Sequence, residues 1–286
     1  MRKITVLLLG LVLIGMLIPT GFATEPNIVI TYGETTYSNS NYKAFVDNFF
    51  VKQANVDIDN DVGIKTITAD QVNQVSSGIT GKYYNSNQIL SSALVDLSVN
   101  SDLAVSVDKS KITTITGEMY LSALKSAGIT NGHVYVTSPV QSTGESALAG
   151  IMNSYEDVTD VVIPYNVKEA ANDEIYTQAE IINNSGVSGD ELASLVSQVK
   201  DEVSKGNITD HNTIVNIINN YVENNNINIT NNDIENLADS IEQVQNVQGD
   251  VNQYKNQLNE ILGDNSTGGF SLDGLFDWIK SFINGI

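Results

Sequence analysis

The stretch VYVTSPVQSTGESALAGIMNSYE, residues 134 to 156, sets Ser142, Thr143, Gly144, Glu145 and Ser146 between an alternating apolar run and an apolar run of helical period. A strand, a loop of small residues and a helix N-terminus can present backbone N–H groups to an anion, or mount a serine nucleophile on a sharp turn. Both specific motifs are incomplete. A nucleophile elbow needs Gly-x-Ser-x-Gly, and Leu148 stands where the second glycine belongs. A phosphate loop needs a lysine before its Ser or Thr, and no lysine lies between Lys125 and Lys168. The reading these residues favour is therefore structural: Ser142 or Thr143 caps the helix, Glu145 complements its positive end, and Gly144 supplies the turn. A ligand site formed by Ser142 to Ser146 at the helix N-terminus is the alternative, and catalysis by Ser146 or Glu145 comes third.

Asp57, Asp59 and Asp61, in DIDNDVG, alternate as oxygen ligands do in a calcium loop. Gly63 comes one residue late and Thr68 occupies the place of the bidentate glutamate, so a solvated turn between a helix and a strand is favoured over calcium. No other cofactor has a pattern behind it. Histidine occurs only at positions 133 and 211, neither with local partners for zinc or for a Ser-His-Asp triad. Glu118, Glu145 and Glu156 offer the paired carboxylates of a glycosidase, but carboxylates are so numerous here that their presence discriminates nothing.

The elements that must hold these residues are readable from their period. NIVITY (27–32) alternates as a strand. Residues 39–51 form a helix capped by Ser38 or Asn39, with Tyr42, Phe45, Val46, Phe49 and Phe50 at helical spacing. A strand at 64–68 and a short helix at 69–76, started by Thr68 or Asp70, follow. Ala93 to Val99 and Leu103 to Val107 read as a hairpin turned at 100–102. Thr116 caps GEMYLSALKSAG, which Gly128 ends. The strand 133–137 leads into a helix from Glu145 to about Asp157, whose Ala147, Ala149 and Gly150 let it lie close to a sheet. Beyond VTDVVIPYN only helices are expected, at 167–183, 189–203, 210–224 and 230–262. In the last of these the apolar stripe steps by three and four, with one three-three irregularity near Val244 to Val251. The fold class is α+β, a mixed sheet with covering helices followed by a helical C-terminal region.

Composition narrows the function. There is no cysteine, which excludes disulfides, thiolate chemistry and a lipid anchor on Cys. The chain opens with Arg2 and Lys3, an apolar run from Ile4 to Ile18, Pro19 and small residues to Ala23, the pattern of a secretory signal peptide cut after Ala23. Net charge is −20, or −22 once Arg2 and Lys3 leave with the leader, and Arg2 is the only arginine. With no basic patch to displace counterions, nucleic acid is not an expected partner. The chain ends in a Gly/Ser/Thr hinge and an amphipathic helix bearing Leu272, Leu275, Phe276, Trp278, Ile279 and Phe282. This tail fits docking on its own domain or contact with a cell-envelope or protein partner. A lipid surface is disfavoured, because Asp264, Asp273 and Asp277 outweigh Lys280. The segments are thus a leader (1–23), a mixed α/β domain (24–163), a helical region (164–262) and the hinged tail (263–286).

Three segments, TGEMYLSALKSAGI, VYVTSPVQSTGESALAGIMNSYE and VKEAANDEIYTQAEI, together resemble the YpuA-like secreted proteins grouped as domain-of-unknown-function family 1002. The matching positions are Thr116, Glu118, Met119, Tyr120, Ala123, Leu124, Ala127 and Gly128, then Pro139, Thr143, Gly144, Ala147, Leu148, Gly150, Ile151, Met152, Tyr155 and Glu156. The resemblance implies a secreted protein of mixed fold and carries no chemistry to any residue. The function expected is a non-enzymatic extracytoplasmic binding module, touching its partners through the tail and the Thr143-Gly144 loop. The competing class is an extracellular hydrolase using carboxylates or Ser146.

Overall fold

The computed structural model describes residues 27–262 apart from residues 61, 80 and 100. The leader, Asp61 of the aspartate run and the whole tail from Leu272 to Phe282 lie outside the described residues. The first half of the chain forms β1 (Ile28–Gly33), α1 (Glu34–Ser38), α2 (Ser40–Ala54), β2 (Gly63–Ile67), α3 (Ala69–Ser76), β3 (Ser92–Asp96), β4 (Ala104–Val107), α4 (Gly117–Ser126), β5 (His133–Thr137) and α5 (Ala147–Thr159). Then come α6 (Tyr165–Ser185), α7 (Gly189–Lys205), α8 (His211–Asn225), α9 (Asn231–Asn246) and α10 (Gln248–Leu262). Short polar side chains start several helices as expected. Asn39 accepts from the N–H groups of Asn41 and Tyr42, Thr116 accepts from that of Met119, and Thr68 with Gln71 closes a capping box.

The described strands form one mixed sheet in the order β2-β1-β3-β5-β4, with β3 antiparallel to both neighbours and the outer strands parallel to theirs. This corrects the expected hairpin. β5 inserts between β3 and β4, so that Val95 and Val105 both register with Val134. The reason is burial. β3 is buried at all five positions and needs a partner on each side, whereas β4, exposed at Ala104 and half-buried beyond, suits an edge.

The largest core joins one sheet face to both halves of the chain. Ala93, Val95, Val134 and Val136 meet Met119 and Leu124 of α4 and Ile151 of α5, and the same cluster takes in Ile175 of α6 and Tyr254 of α10. On this face α5 comes close to β1. A Cβ at Gly150 would sit 3.0 Å from Thr31 Cγ2, and the hydroxyls of Ser154 and Thr31 are 2.7 Å apart. The other face is covered by Val46 and Phe50 of α2. A second cluster lies wholly among α6 to α9, with Leu192, Val196, Ile214, Ile218, Leu237 and Ile241.

The expected single helix from Thr230 to Leu262 is two helices, broken at Val247. The break falls where the stripe takes two successive steps of three, Ile241 to Val244 to Val247. It lets one sequence serve two cores: Ile234, Leu237 and Ile241 enter the helical cluster, and Val251, Tyr254 and Leu258 turn to the sheet cluster.

Candidate functional site

The loop from Ser142 to Ser146 is packed. α5 starts at Ala147, two residues later than expected, and Ser146 at its N-cap makes no side-chain cap bond. Thr143 does not cap the helix; its hydroxyl, on an exposed residue, donates to the Glu145 carboxylate. Ser142 lies with its hydroxyl 3.1 Å from that of Ser91. The N–H groups of Ala147 and Leu148 are bonded to the carbonyls of Gly144 and Glu145, so these donors are not offered to an anion. Gly144 has φ +109°, and a Cβ there would lie 2.7 Å from Ile112 Cγ2 and 2.8 Å from Tyr120 Oη. Tyr120 donates to the Gly144 carbonyl at 2.5 Å. The Glu145 side chain turns inward, only 2 % exposed, with Lys82 Nζ at 3.5 Å. Burial first, and then the charge of Glu145, hold the Tyr84 and Tyr120 phenols well above the usual tyrosine value. Ser146 is buried, and no hydrogen bond among the described residues brings it to a base.

The other sequence candidates are also internally occupied. Asp57 and Asp59 are exposed in the turn after α2, where Asp57 accepts from the Asp59 N–H at 3.1 Å and from Asn60 Nδ2 at 2.8 Å. Both Asp57 oxygens thereby close an Asx-type turn. Glu156 receives Lys168 at 2.6 Å and the Ile163 N–H at 2.7 Å. His133 has Ser106 Oγ 3.0 Å from Nε2 and the Tyr135 hydroxyl 3.0 Å from Nδ1, and burial lowers its pKa against the opposing charge of Asp96. This pair differs from a catalytic triad in two respects: Ser106 lies within a strand, not on a sharp turn, and a phenol faces the ring nitrogen that a carboxylate would orient.

A groove not foreseen from the sequence lies at the seam between α4 and the helical region. It is a small cleft of about 40 Å³ that opens to solvent and is lined by Ser122, Lys125 and Ser126 of α4, Lys200 and Val203 of α7, and residues from Ile241 to Gln248 of α9 and α10. Positions i, i+3 and i+4 place the three α4 side chains on one helical face. Lys200 Nζ lies 2.8 Å from each oxygen of Glu174 in α6, 2.6 Å from Ser126 Oγ and 2.9 Å from Ser122 Oγ. Ser122 and Ser126 in turn donate to the two Glu174 oxygens at 2.5 and 2.7 Å. Each hydroxyl thus accepts from the ammonium and donates to the carboxylate, closing a network whose acid is 2 % exposed.

This constellation is not a Ser–Lys hydrolase centre, because Lys200 is tied to a carboxylate and is not the free amine that activates a serine. Lys125 is different. Burial, and to a smaller degree Lys200, lowers its pKa, while Asp102 opposes the shift. Among the described residues Lys125 forms no ion pair. A second polar cavity, between α3, α5 and α6, has its lysine, Lys168, bound to Glu156, and its Tyr165 hydroxyl donating to the Gln74 carbonyl at 2.8 Å. The Lys125 groove is therefore a place where an incoming anion would find a cation without an ion pair among the described residues. Its signal in sequence is only Ser-x-x-Lys-Ser on one helix. Glu174 and Lys200 lie far off in the chain and meet these residues only in the fold.

Together these features define an α+β protein in which a helical layer shares the core of a mixed sheet and meets it along a lysine-bearing groove. The family model described as "Protein of unknown function (DUF1002)" matches residues 32–261, and the chain belongs to that family. It is 29 % identical over 197 residues to the Bacillus subtilis (strain 168) protein described as "Uncharacterized protein YpuA", covering 68 % of this chain and 67 % of the relative. No solved structure matches.

Proposed function

We propose that the protein is exported and works outside the cytoplasmic membrane as a non-catalytic binding module, with the groove between α4, α7, α9 and α10 as its ligand site. The observation that carries this reading is Lys125, a half-buried cation without an ion pair among the described residues, in a chain of net charge −20. A carboxylate or phosphate would supply the counter-charge the ammonium lacks, and the amides of Gln245 and Gln248 stand at the same groove to hydrogen-bond it. Export rests on the leader pattern ending at Ala23; no described helix is long and apolar enough to cross a membrane. The hydrolase reading is weaker because Ser146 and Glu145 are buried in a filled turn. Calcium at the aspartate run is weaker because both oxygens of Asp57 already accept hydrogen bonds. The tail, with Leu272, Phe276 and Trp278, remains the second contact surface, for an envelope or protein partner.

The test is co-sedimentation of the mature protein with purified cell wall and with neutral and anionic vesicles, alongside Lys125→Met and a chain lacking residues 264–286. Binding to the wall that drops at least about tenfold in Lys125→Met supports the groove, a loss of roughly 1.4 kcal/mol. Binding that survives Lys125→Met and vanishes with the tail moves the contact to the tail, and no binding by any of the three refutes the module. The mass of the protein recovered outside expressing cells tests export, with an N-terminus at Thr24 expected.

A further inference from the structure

α8 begins at His211, and α9 packs beside it through Ile214, Ile218, Leu237 and Ile241. On α9, Glu235, Asp239 and Glu242 recur at i, i+4 and i+7, so all three fall on one face, toward the imidazole. His211 Nδ1 lies 3.2 Å from a Glu242 oxygen and 3.3 Å from an Asp239 oxygen. Nε2 lies 2.9 Å from a Glu235 oxygen. One ligand atom from each of His211, Asp239 and Glu242 falls within 4.8 Å of the other two.

Both ring nitrogens therefore face carboxylate oxygens, and a neutral imidazole has only one N–H. The hydrogen can serve Glu235 or the Asp239 and Glu242 pair, and the nitrogen left bare would point its lone pair at an anion. A protonated ring satisfies both sides with its two N–H groups; in a neutral ring a metal ion can take the place of the missing proton. The spacing fits a metal ion: two ligand atoms on a tetrahedral zinc at about 2.0–2.1 Å are about 3.3 Å apart, close to the nitrogen–oxygen distances found here. The opposite side fits as well, since a metal-bound histidine ordinarily donates its other N–H to a carboxylate that fixes the ring, which is where Glu235 lies.

We propose that His211, Asp239 and Glu242 form a site for a divalent transition-metal ion of the zinc class, with Glu235 as the residue that positions the imidazole. The nitrogen ligand separates this class from calcium and magnesium, which take oxygen ligands. The three carboxylates and the acidic surface around them draw the cation in. The ligands come from two helices locked by a shared core, so the site is held by packed elements and not by a loop.

Because the chain has only two histidines, the imidazoles report directly. The full mature protein, made without a polyhistidine tag and stripped with chelator, is labelled with ¹⁵N-histidine. Ring spectra are then recorded at about pH 7.5, where coordination is not suppressed by protons, during a titration with zinc chloride. One ring, assigned by its loss in His211→Gln, is expected to shift at Nδ1 and keep its Nε2 proton, saturating at one equivalent, while His133 stays unmoved. Glu235→Gln should weaken binding about 10- to 100-fold without removing the Nδ1 shift, and Asp239→Asn with Glu242→Gln should abolish it; circular dichroism confirms that each variant is folded. The proposal is overturned if the His211 ring does not move with excess zinc, if its shift is indifferent to the carboxylate variants, or if calcium chloride displaces zinc at equal concentration.

Discussion

Replacing Glu174 by Leu should destabilise the protein far more than replacing its partner, and replacing both should cost little. Glu174→Leu leaves the Lys200 ammonium without a counter-charge and Ser122 and Ser126 without acceptors for their hydroxyl hydrogens. Removing one member of a buried pair costs about 3–5 kcal/mol. Lys200 retains 11 % exposure at the groove, so water relieves part of this and about 3 kcal/mol is expected. For a folded body of this size that lowers Tm by roughly 6–12 °C. Lys200→Met leaves the carboxylate with two hydroxyl donors already at 2.5 and 2.7 Å, and should cost only about 1–2 kcal/mol. In the double variant neither charge is buried and apolar groups fill the space, so it should lie within about 1–2 kcal/mol of the parent. Urea unfolding followed by circular dichroism, compared at constant m-value, gives the four free energies and a coupling of at least about 2 kcal/mol. A Glu174→Leu effect below about 1 kcal/mol, or a double variant as unstable as the sum of the singles, would refute the closed network as the tie between α4, α6 and α7.

Gly144→Ala should destabilise by about 2–4 kcal/mol in thermal melts, because the left-handed φ penalises any Cβ and this one collides with Ile112 and the Tyr120 hydroxyl; a change under about 0.5 kcal/mol would mean the loop is not packed in solution. Asp173 is 8 % exposed, and burial, helped by the charges of Asp239, Glu174 and Glu169, pushes its carboxyl up to about 6. The folded state therefore holds this proton more tightly than the unfolded chain. The associated stability is present below the ordinary aspartate value and is lost as pH rises through about 6, a swing of at most about 3 kcal/mol. Asp173→Asn should accordingly stabilise the protein by about 1–3 kcal/mol at pH 7 and much less near pH 4, and equal urea midpoint shifts at both values would contradict this. Thr68→Ala removes the capping box of α3 and should lower stability by about 1 kcal/mol, measured by urea unfolding.

What was legible in the sequence was short-ranged. Asn39, Thr68 and Thr116 announce their helices because a cap acts on the N–H groups two or three residues ahead, and the α5 approach to the sheet is read from Ala147, Ala149 and Gly150, of which Gly150 meets Thr31. The pairing of β3 with β5 was not legible, because alternation tells which face is buried and not which strand lies alongside. Gly144 could be read as a turn residue, but its purpose, room for the Tyr120 hydroxyl, comes from α4. The same limit hid both polar constellations. His211 has no partner near it in sequence, and its three carboxylates lie on the next helix. Glu174 and Lys200 look like ordinary surface charges of amphipathic helices until α4 is laid across them.

The break at Val247 links these observations. A straight helix through residues 231–262 would keep a single apolar stripe on one side and could serve only one of the two cores. By ending α9 and restarting as α10, the chain carries Val251 and Tyr254 across to α4, where both lie within about van der Waals reach of a Cβ at Gly128. Gln245 and Gln248, on either side of the break, line the groove together with Lys125. The groove is thus a consequence of how two cores are joined. Its cation comes from the last turn of α4, where the helix dipole also favours positive charge. Its other lining residues come from the ends of α7 and α9 and the start of α10, so a ligand held there would touch the sheet-bearing and helical halves at once.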